Sequence, residues 1–387
     1  MSKIDCLRAR LSIAAAMALV AVAVLLFLEI ETQWHIALLA IVVIALLVTL
    51  EKTGLRQRLE TISAREPGFA RVAAVVASLA LACALYESHF ALLMLATVAL
   101  YVTACLGLTI QFGYAGVANF AGAAFVGIGG YSAALLVTHT SVPHLLVIPG
   151  AGLIAALIGT VLILPMLRTR GHYAALITIA FGILFKTFLE VNDALGGPQG
   201  LKVPGMTLLG WQFNEPIRFA NGVEASFYLN YTLLAILLAA GAYVLVKRLE
   251  SSWIGLSFDA VRLDETAAAV SGIDIARWKI VAFVSGNFLA GVAGAVYAMM
   301  SGYIAPNNFT FGDSLILVSI VILGGLGNPR GVVLAALLLL VLPEKLQVIQ
   351  EYRFLLYALL VILILLFRPA GLLPRRLRAY VPSHSRP

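Results

Sequence analysis

Residues 11–28 contain no charged side chain, and other predominantly apolar stretches recur near 34–50, 69–85, 91–111, 117–137, 146–166, 173–190, 227–247, 279–299 and 354–367. About 20 apolar residues in a helix cross the roughly 30 Å of hydrocarbon in a bilayer. Ten such runs predict an all-α, polytopic membrane bundle. Composition agrees, since 61% of the residues are hydrophobic and only 12% charged, about half the charged fraction of a soluble domain. A water-soluble enzyme is excluded on that ground. A nucleic-acid partner is also excluded, because the basic excess behind the net charge of +7 is scattered in short clusters between apolar runs and forms no continuous patch. Lipid is the expected surrounding.

The clusters carry topology. With the N-terminus inside, the inner connections and tail hold 20 of the 26 Lys and Arg residues, among them Lys3, Arg8, Arg10, Lys52, Arg56, Arg168, Lys247, Arg262, Arg277 and Arg375. Only Lys202, Arg218, Lys345 and Arg353 fall outside, while Lys186 and Arg330 lie near or within membrane segments. This asymmetry predicts both termini in the cytoplasm. The first run ends in Glu29 and Glu31 with no small-residue cleavage pattern, and another apolar run follows it at once, so it is expected to remain as a span. Cys6, Cys83 and Cys105 have no spacing that suggests a disulfide framework or a zinc site.

Residues 314–342 depart from the pattern. Two apolar runs of about a dozen residues flank "GGLGNPRG" at 324–331, and each is short for a crossing. A hairpin of half-length helices is the natural reading, and it must return to its own side if the arginine-rich tail is to stay inside. Two connections are long. Residues 191–226, on the outer side, are rich in Gly and Pro and predict a cap or docking surface without a long helix. Residues 248–278, on the inner side, are mixed in charge and helix-prone from about 263 to 270; the helix either meets a partner or lies at the lipid headgroups.

Catalytic signatures are absent: the chain has no phosphate-loop motif, no H-E-x-x-H and no G-x-S-x-G, and its six histidines have no ligand-like spacing. No metal, cofactor or catalytic residue is expected. Ionisable side chains inside the runs are nearly confined to Lys186 and Glu190, placed to pair across one helical turn. A carrier driven by an ion gradient needs titrating groups at membrane depth, and this chain is poor in them. Small residues are plentiful instead. Gly286, Ala290, Gly294 and Ala298 form a ridge flanked by Gly291 and Ala295, and Ala118, Gly122, Gly130 and Ala134 nearly form another, as in helices that pack backbone to backbone. In "FGYAGVANFAG" (112–122), Gly113, Gly116 and Asn119 mark a helix break that could be a cavity wall or a plain cytoplasmic-side turn.

Six segments in order, "GLTIQFGYAGVANFAGAAFVGIGGYSAALL" (107–136), "RTRGHYAALITIAFG" (168–182), "LGGPQGL" (195–201), the stretch from "DETAAAVSGIDIARW" to "NNFTF" (264–311), "VILGGLGNPRGVVLAALLLLVLPE" (321–344) and "FRPAGLLP" (367–374), resemble the LivM-type permease subunits of bacterial branched-chain amino-acid ABC importers. The likeness implies a type II importer half with about ten spans and a broken half-helix hairpin. Residues 1–88 would be an extension with three spans, 89–374 the permease core and 375–387 a basic cytoplasmic tail. It implies a bacterial inner-membrane location and, as partners, a LivH-like sister permease, two cytoplasmic ATPase subunits and an extracytoplasmic binding protein. It implies an ATPase-coupling segment at about 259–275, with Arg262, Asp264, Glu265, Ala267, Ala268 and Gly272 on the pattern E-x-A-A-x-x-x-G and its approach. Gly113, Tyr114, Gly116, Asn119, Tyr131, Gly324, Gly325 and Gly327 become the candidate path residues. Leucine, isoleucine and valine are the implied cargo; related amino acids, or urea and short amides carried by the same class of importer, are the alternatives. A gradient-driven carrier using Lys186 and Glu190 is the reading from a different class.

Overall fold

The structure, a computed structural model, describes residues 3–29, 66–169, 172–208, 210–218, 224–345, 371–375 and single positions between 352 and 366. The expected span at 34–50, and most of that at 354–367, lie outside these residues. Twelve α-helices are described: α1 Lys3–Glu29, α2 Pro67–Ala84, α3 His89–Leu108, α4 Gly122–His139, α5 His144–Leu167, α6 His172–Val191, α7 Tyr228–Ser251, α8 Trp253–Leu263, α9 Glu265–Val270, α10 Ile275–Ser301, α11 Phe311–Gly324 and α12 Pro329–Lys345. Eight segments among the described residues are long and apolar enough to cross a membrane, and the apolar helix Gly68–Ala84 is shorter.

The chain divides into two compact units. The first comprises Met1–Leu100, Gly205–Gly241 and Val341–Glu351. Within it α1 lies along α2, with Arg10 paired to Glu66 at 3.2 Å, and Thr232 on α7 donates to the Leu92 carbonyl of α3 at 3.0 Å. Two short antiparallel pairs, β2 Thr207–Leu208 with β3 Trp211–Gln212 and β4 Ile217–Arg218 with β5 Glu224–Ala225, belong to the long connection before α7. Among the described residues of that connection there is no long helix.

The second unit comprises Tyr101–Pro204, Ala242–Leu340 and Tyr352–Pro387, and α10 is its axis, packed along α4 and α5. The small ridge read from the sequence makes these contacts. A Cβ on Gly291 would lie 2.6 Å from the Ala155 Cβ and 3.0 Å from the Gly152 Cα of α5. A Cβ on Gly294 would strike the Val126 carbonyl of α4, and one on Gly129 would strike the backbone of Gly291. With little hydrophobic drive between helices in lipid, close backbone packing supplies the association. Ala133, Val147, Ala151 and Ala295 close the seam. At the far end, β1 Leu201–Lys202 pairs with β6 Tyr303–Ile304.

Two boundaries differ from the expected ones. The run at 117–137 becomes helical only at Gly122, since residues 109–114 form a π-helical turn and 115–121 are irregular. Gly116 has a φ of +68°, Val117 N–H donates to the Gln111 carbonyl at 2.8 Å, and two later amides are taken by side chains: Ala121 N–H donates to Asn119 Oδ1 at 2.9 Å and Phe120 N–H to Thr178 Oγ1 at 3.0 Å. Satisfied amides let non-helical backbone persist in a membrane protein's interior. The second difference concerns 314–342. Its helices have 14 and 17 residues, and with a preceding 3-10 turn the first reaches Pro306–Gly324, long enough to cross. The apolar run alone understated it because Thr310 and Asp313 form a capping box that starts the helix earlier.

Candidate functional site

The connection between α7 and α10 folds as two helices. A single helix was expected from about 263 to 270, but Asp264, at φ −157°, ends α8 and caps α9 by accepting from the N–H groups of Thr266 and Ala267 at 2.8 and 3.0 Å. Such a cap contributes about 1 kcal/mol. At the other end Gly272, with φ +79°, closes a Schellman turn: Ile273 N–H donates to the Ala268 carbonyl and Gly272 N–H to that of Ala269, both at 3.0 Å. The pair is fastened to α10 by Lys279 Nζ, 2.6 Å from Glu265 Oε1, and by the Trp278 ring, which meets Trp253 and Phe258 edge-on at 5.3 and 5.7 Å.

The candidate coupling residues therefore have different surroundings. Glu265 and Ala267 are exposed, and Val270 beside them is 87% exposed. Ala268 is turned inward at 4% exposure, so its small side chain serves packing. Asp264 is a cap, and Gly272 supplies left-handed backbone with open space beyond it. Arg262 is exposed and also donates to the Gly113 carbonyl of the π turn.

The candidate path residues fall into three neighbourhoods. Gly113, Tyr114 and Gly116 meet the break between α11 and α12: a Cβ on Gly113 would strike the Gly327 backbone, and one on Gly116 would lie 3.6 Å from Arg262 Cγ. Gly324 lies backbone to backbone with Gly331, and Gly325 and Gly327 both take positive φ to turn the chain. The buried Tyr114 ring carries the Arg375 guanidinium 4.4 Å from its centroid. Asn119 belongs to a second neighbourhood, an amide cluster. Its Nδ2 donates to Gln111 Oε1 at 2.8 Å and to Asn287 Oδ1 at 3.1 Å, while Gln111 Nε2 donates to Asn287 Oδ1 and to the Phe283 carbonyl, both at 2.9 Å. All three amides are buried, and Asn287 Nδ2 makes no hydrogen bond among the described residues. Tyr131 forms the third, on α4 with its ring 6.3 Å from Phe309 and its buried hydroxyl unpaired among the described residues.

Four residues at this end of the unit did not stand out in the sequence. Gln111 and Asn287 are amides inside apolar runs, and an intramembrane polar side chain is costly enough to be a signal in itself. Asp259 and Arg375 form a bidentate pair at 2.7 and 3.1 Å with side chains only 6% and 7% exposed. Arg375, read as the first residue of a basic tail, is therefore an interior partner. Removing one member of a buried pair costs about 3–5 kcal/mol. Lys186 and Glu190 pair at 3.2 Å on α6, as their spacing predicts.

These elements define a multi-pass helical membrane protein whose membrane helices are interrupted by irregular segments and whose α7–α10 connection presents a short, capped helix. Residues 90–367 match the family described as branched-chain amino acid transport system / permease component, and the chain belongs to that family. It is 35% identical over 288 residues to the high-affinity branched-chain amino acid transport system permease protein LivM of Escherichia coli, covering 71% of this chain and 68% of the relative. It is 24% identical over 326 residues to the probable branched-chain amino acid transport permease protein LivM of Methanocaldococcus jannaschii, covering 72% and 91%. The permease protein LivH of Salmonella typhimurium is 25% identical over 289 residues, covering 71% and 91%. No solved structure matches the chain.

Proposed function

We propose that the chain is one of two permease subunits of an ATP-driven importer in a bacterial inner membrane, and that with a LivH-like sister it encloses the path for leucine, isoleucine, valine or related amino acids. An extracytoplasmic binding protein delivers the cargo and two cytoplasmic ATPases supply the energy. Both termini are cytoplasmic, residues 89–374 form the core and 1–88 an extension. The observation that carries this reading is the α8–α9 segment, a capped helix outside the candidate spans with an exposed apolar side chain at Val270, tied to α10 through Lys279. An exposed short helix of this kind suits a groove on a partner ATPase. Gly113, Gly116, Asn119, Gly324, Gly325 and Gly327 set the breaks that shape the path, and Tyr114 and Tyr131 flank it.

Cells lacking the gene are expected to lose uptake of labelled leucine at low external concentration and to regain it from a plasmid copy. Unlabelled isoleucine and valine should compete, while urea and acetamide should not. Intact leucine uptake with lost uptake of urea or a short amide would replace the cargo and leave the transporter class standing.

A further inference from the structure

We propose that Arg375 is a positioning residue that transmits movement of the α8–α9 segment to the two interrupted stretches at 109–121 and 325–328, with Asp259 as its partner. The proposal rests on the importer reading above. One side chain touches every element concerned. Both terminal nitrogens of Arg375 bond the Asp259 carboxylate on α8 at 2.7 and 3.1 Å, and its Nε lies 3.4 Å from Glu250 at the end of α7. Its guanidinium covers the Tyr114 ring of the π turn, and its Cδ lies where a Cβ on Gly327 would fall, 2.7 Å away.

The backbone that carries Arg375 is held as firmly. Leu372 N–H donates to the Leu323 carbonyl at 2.8 Å and Leu373 N–H to that of Gly324 at 3.2 Å. Asn328 Nδ2 donates to the Leu373 carbonyl at 3.0 Å. The short irregular segment 371–375 thus lies across the break between α11 and α12, and its last side chain reaches α8, the helix that leads into α9. A planar guanidinium fork on a carboxylate resists rotation in a way that a single ammonium charge does not. Displacing α8 therefore displaces the break as well. Arg262 adds a parallel link from α8 to the Gly113 carbonyl. A pair that served only to brace the fold could stand anywhere in the unit; this one, with Glu250 at the end of α7 beside it, joins the candidate coupling segment to both irregular stretches.

The test uses the assembled complex with both permeases, the ATPases and the binding protein, reconstituted in liposomes, and reads labelled leucine taken up per ATP hydrolysed. The double variant Asp259→Asn with Arg375→Gln removes both charges together and leaves no buried ion unpaired. It is expected to hydrolyse ATP within about twofold of wild type while uptake per ATP falls about tenfold, the size of a typical coupling between sites. Arg375→Lys keeps the charge and loses the fork, and should give an intermediate ratio. Uptake per ATP equal to wild type in the assembled double variant would overturn the proposal, as would hydrolysis and uptake falling together, since a plain brace does that. If the double variant fails to assemble, Arg375→Lys decides: a lowered ratio supports transmission and a wild-type ratio overturns it. The wild-type complex is the control for the importer reading itself. If it shows no ATP-driven uptake, that reading fails and this one falls with it; if it transports and only the variants behave as wild type, this proposal alone fails.

Discussion

Leucine at position 129 is expected to leave no folded protein in the membrane, whereas alanine at position 241 leaves abundance and thermal stability unchanged or slightly raised. Gly129 lies on α4 where a Cβ would come within 2.1 Å of the carbonyl oxygen, 2.4 Å of the Cα and 2.6 Å of the carbonyl carbon of Gly291 on α10. Those are backbone atoms, and they cannot rotate away as a side chain would. Even a methyl group must push α4 and α10 apart, and overpacking of this kind costs about 1–3 kcal/mol. Alanine at 129 is therefore expected to lower the unfolding temperature in detergent, and leucine to prevent assembly. Gly291 is bound on its other side by Ala155 and Gly152 of α5, so the same seam holds three helices. Gly241 on α7 has nothing within 4 Å of its Cβ position, and alanine there gains up to about 1 kcal/mol of helix propensity. Normal expression of Gly129→Leu with a wild-type melting curve would show that α10 is not the packing axis.

The second large effect is functional. Val270→Asp is expected to abolish leucine uptake while the chain stays folded in the membrane. The side chain is 87% exposed in this chain, so a charge there costs the isolated subunit little. Once an ATPase covers it, the same charge must be desolvated without a partner, which costs several kcal/mol. Glu265→Lys should act in the same direction, by facing Lys279 with a like charge and by placing a cation in the first turn of α9. Gly272 is a poorer probe because any side chain there must adopt left-handed backbone, and a loss would report strain as well as contact. The measurement is uptake alongside co-purification of the ATPases. Full uptake by both variants would remove the coupling role from this helix.

Much of the architecture was legible because its determinants are local. Apolar runs of span length mark helices whatever they pack against, and the Gly286, Ala290, Gly294, Ala298 ridge is written into one helix. Its partner was not legible in the same way. Gly130 of the expected α4 ridge does meet Gly294 and Ala298, but Gly122 packs on Leu108 and Leu317 instead, and Gly129 meets Gly291 through a fold that no periodicity reports. The start of α4 was set five residues early because Gly116 and Asn119 act through backbone conformation and capping inside an apolar stretch. The division at Asp264 could have been read, since an aspartate before Glu-Thr-Ala is an N-cap signal. The pairing of Asp259 with Arg375 spans 116 positions, and the amide cluster draws on residues as far apart as Gln111 and Asn287. Only the tertiary structure brings such groups together.

On the proposed function, this chain transports only with energy taken from another subunit. Leucine accumulation by proteoliposomes tests it most directly, comparing the full complex supplied with binding protein and ATP against the chain alone under an imposed proton or sodium gradient. Accumulation is expected only in the first, and only while ATP is hydrolysed. Gradient-driven accumulation by the chain alone, lost on Lys186→Met, would contradict it.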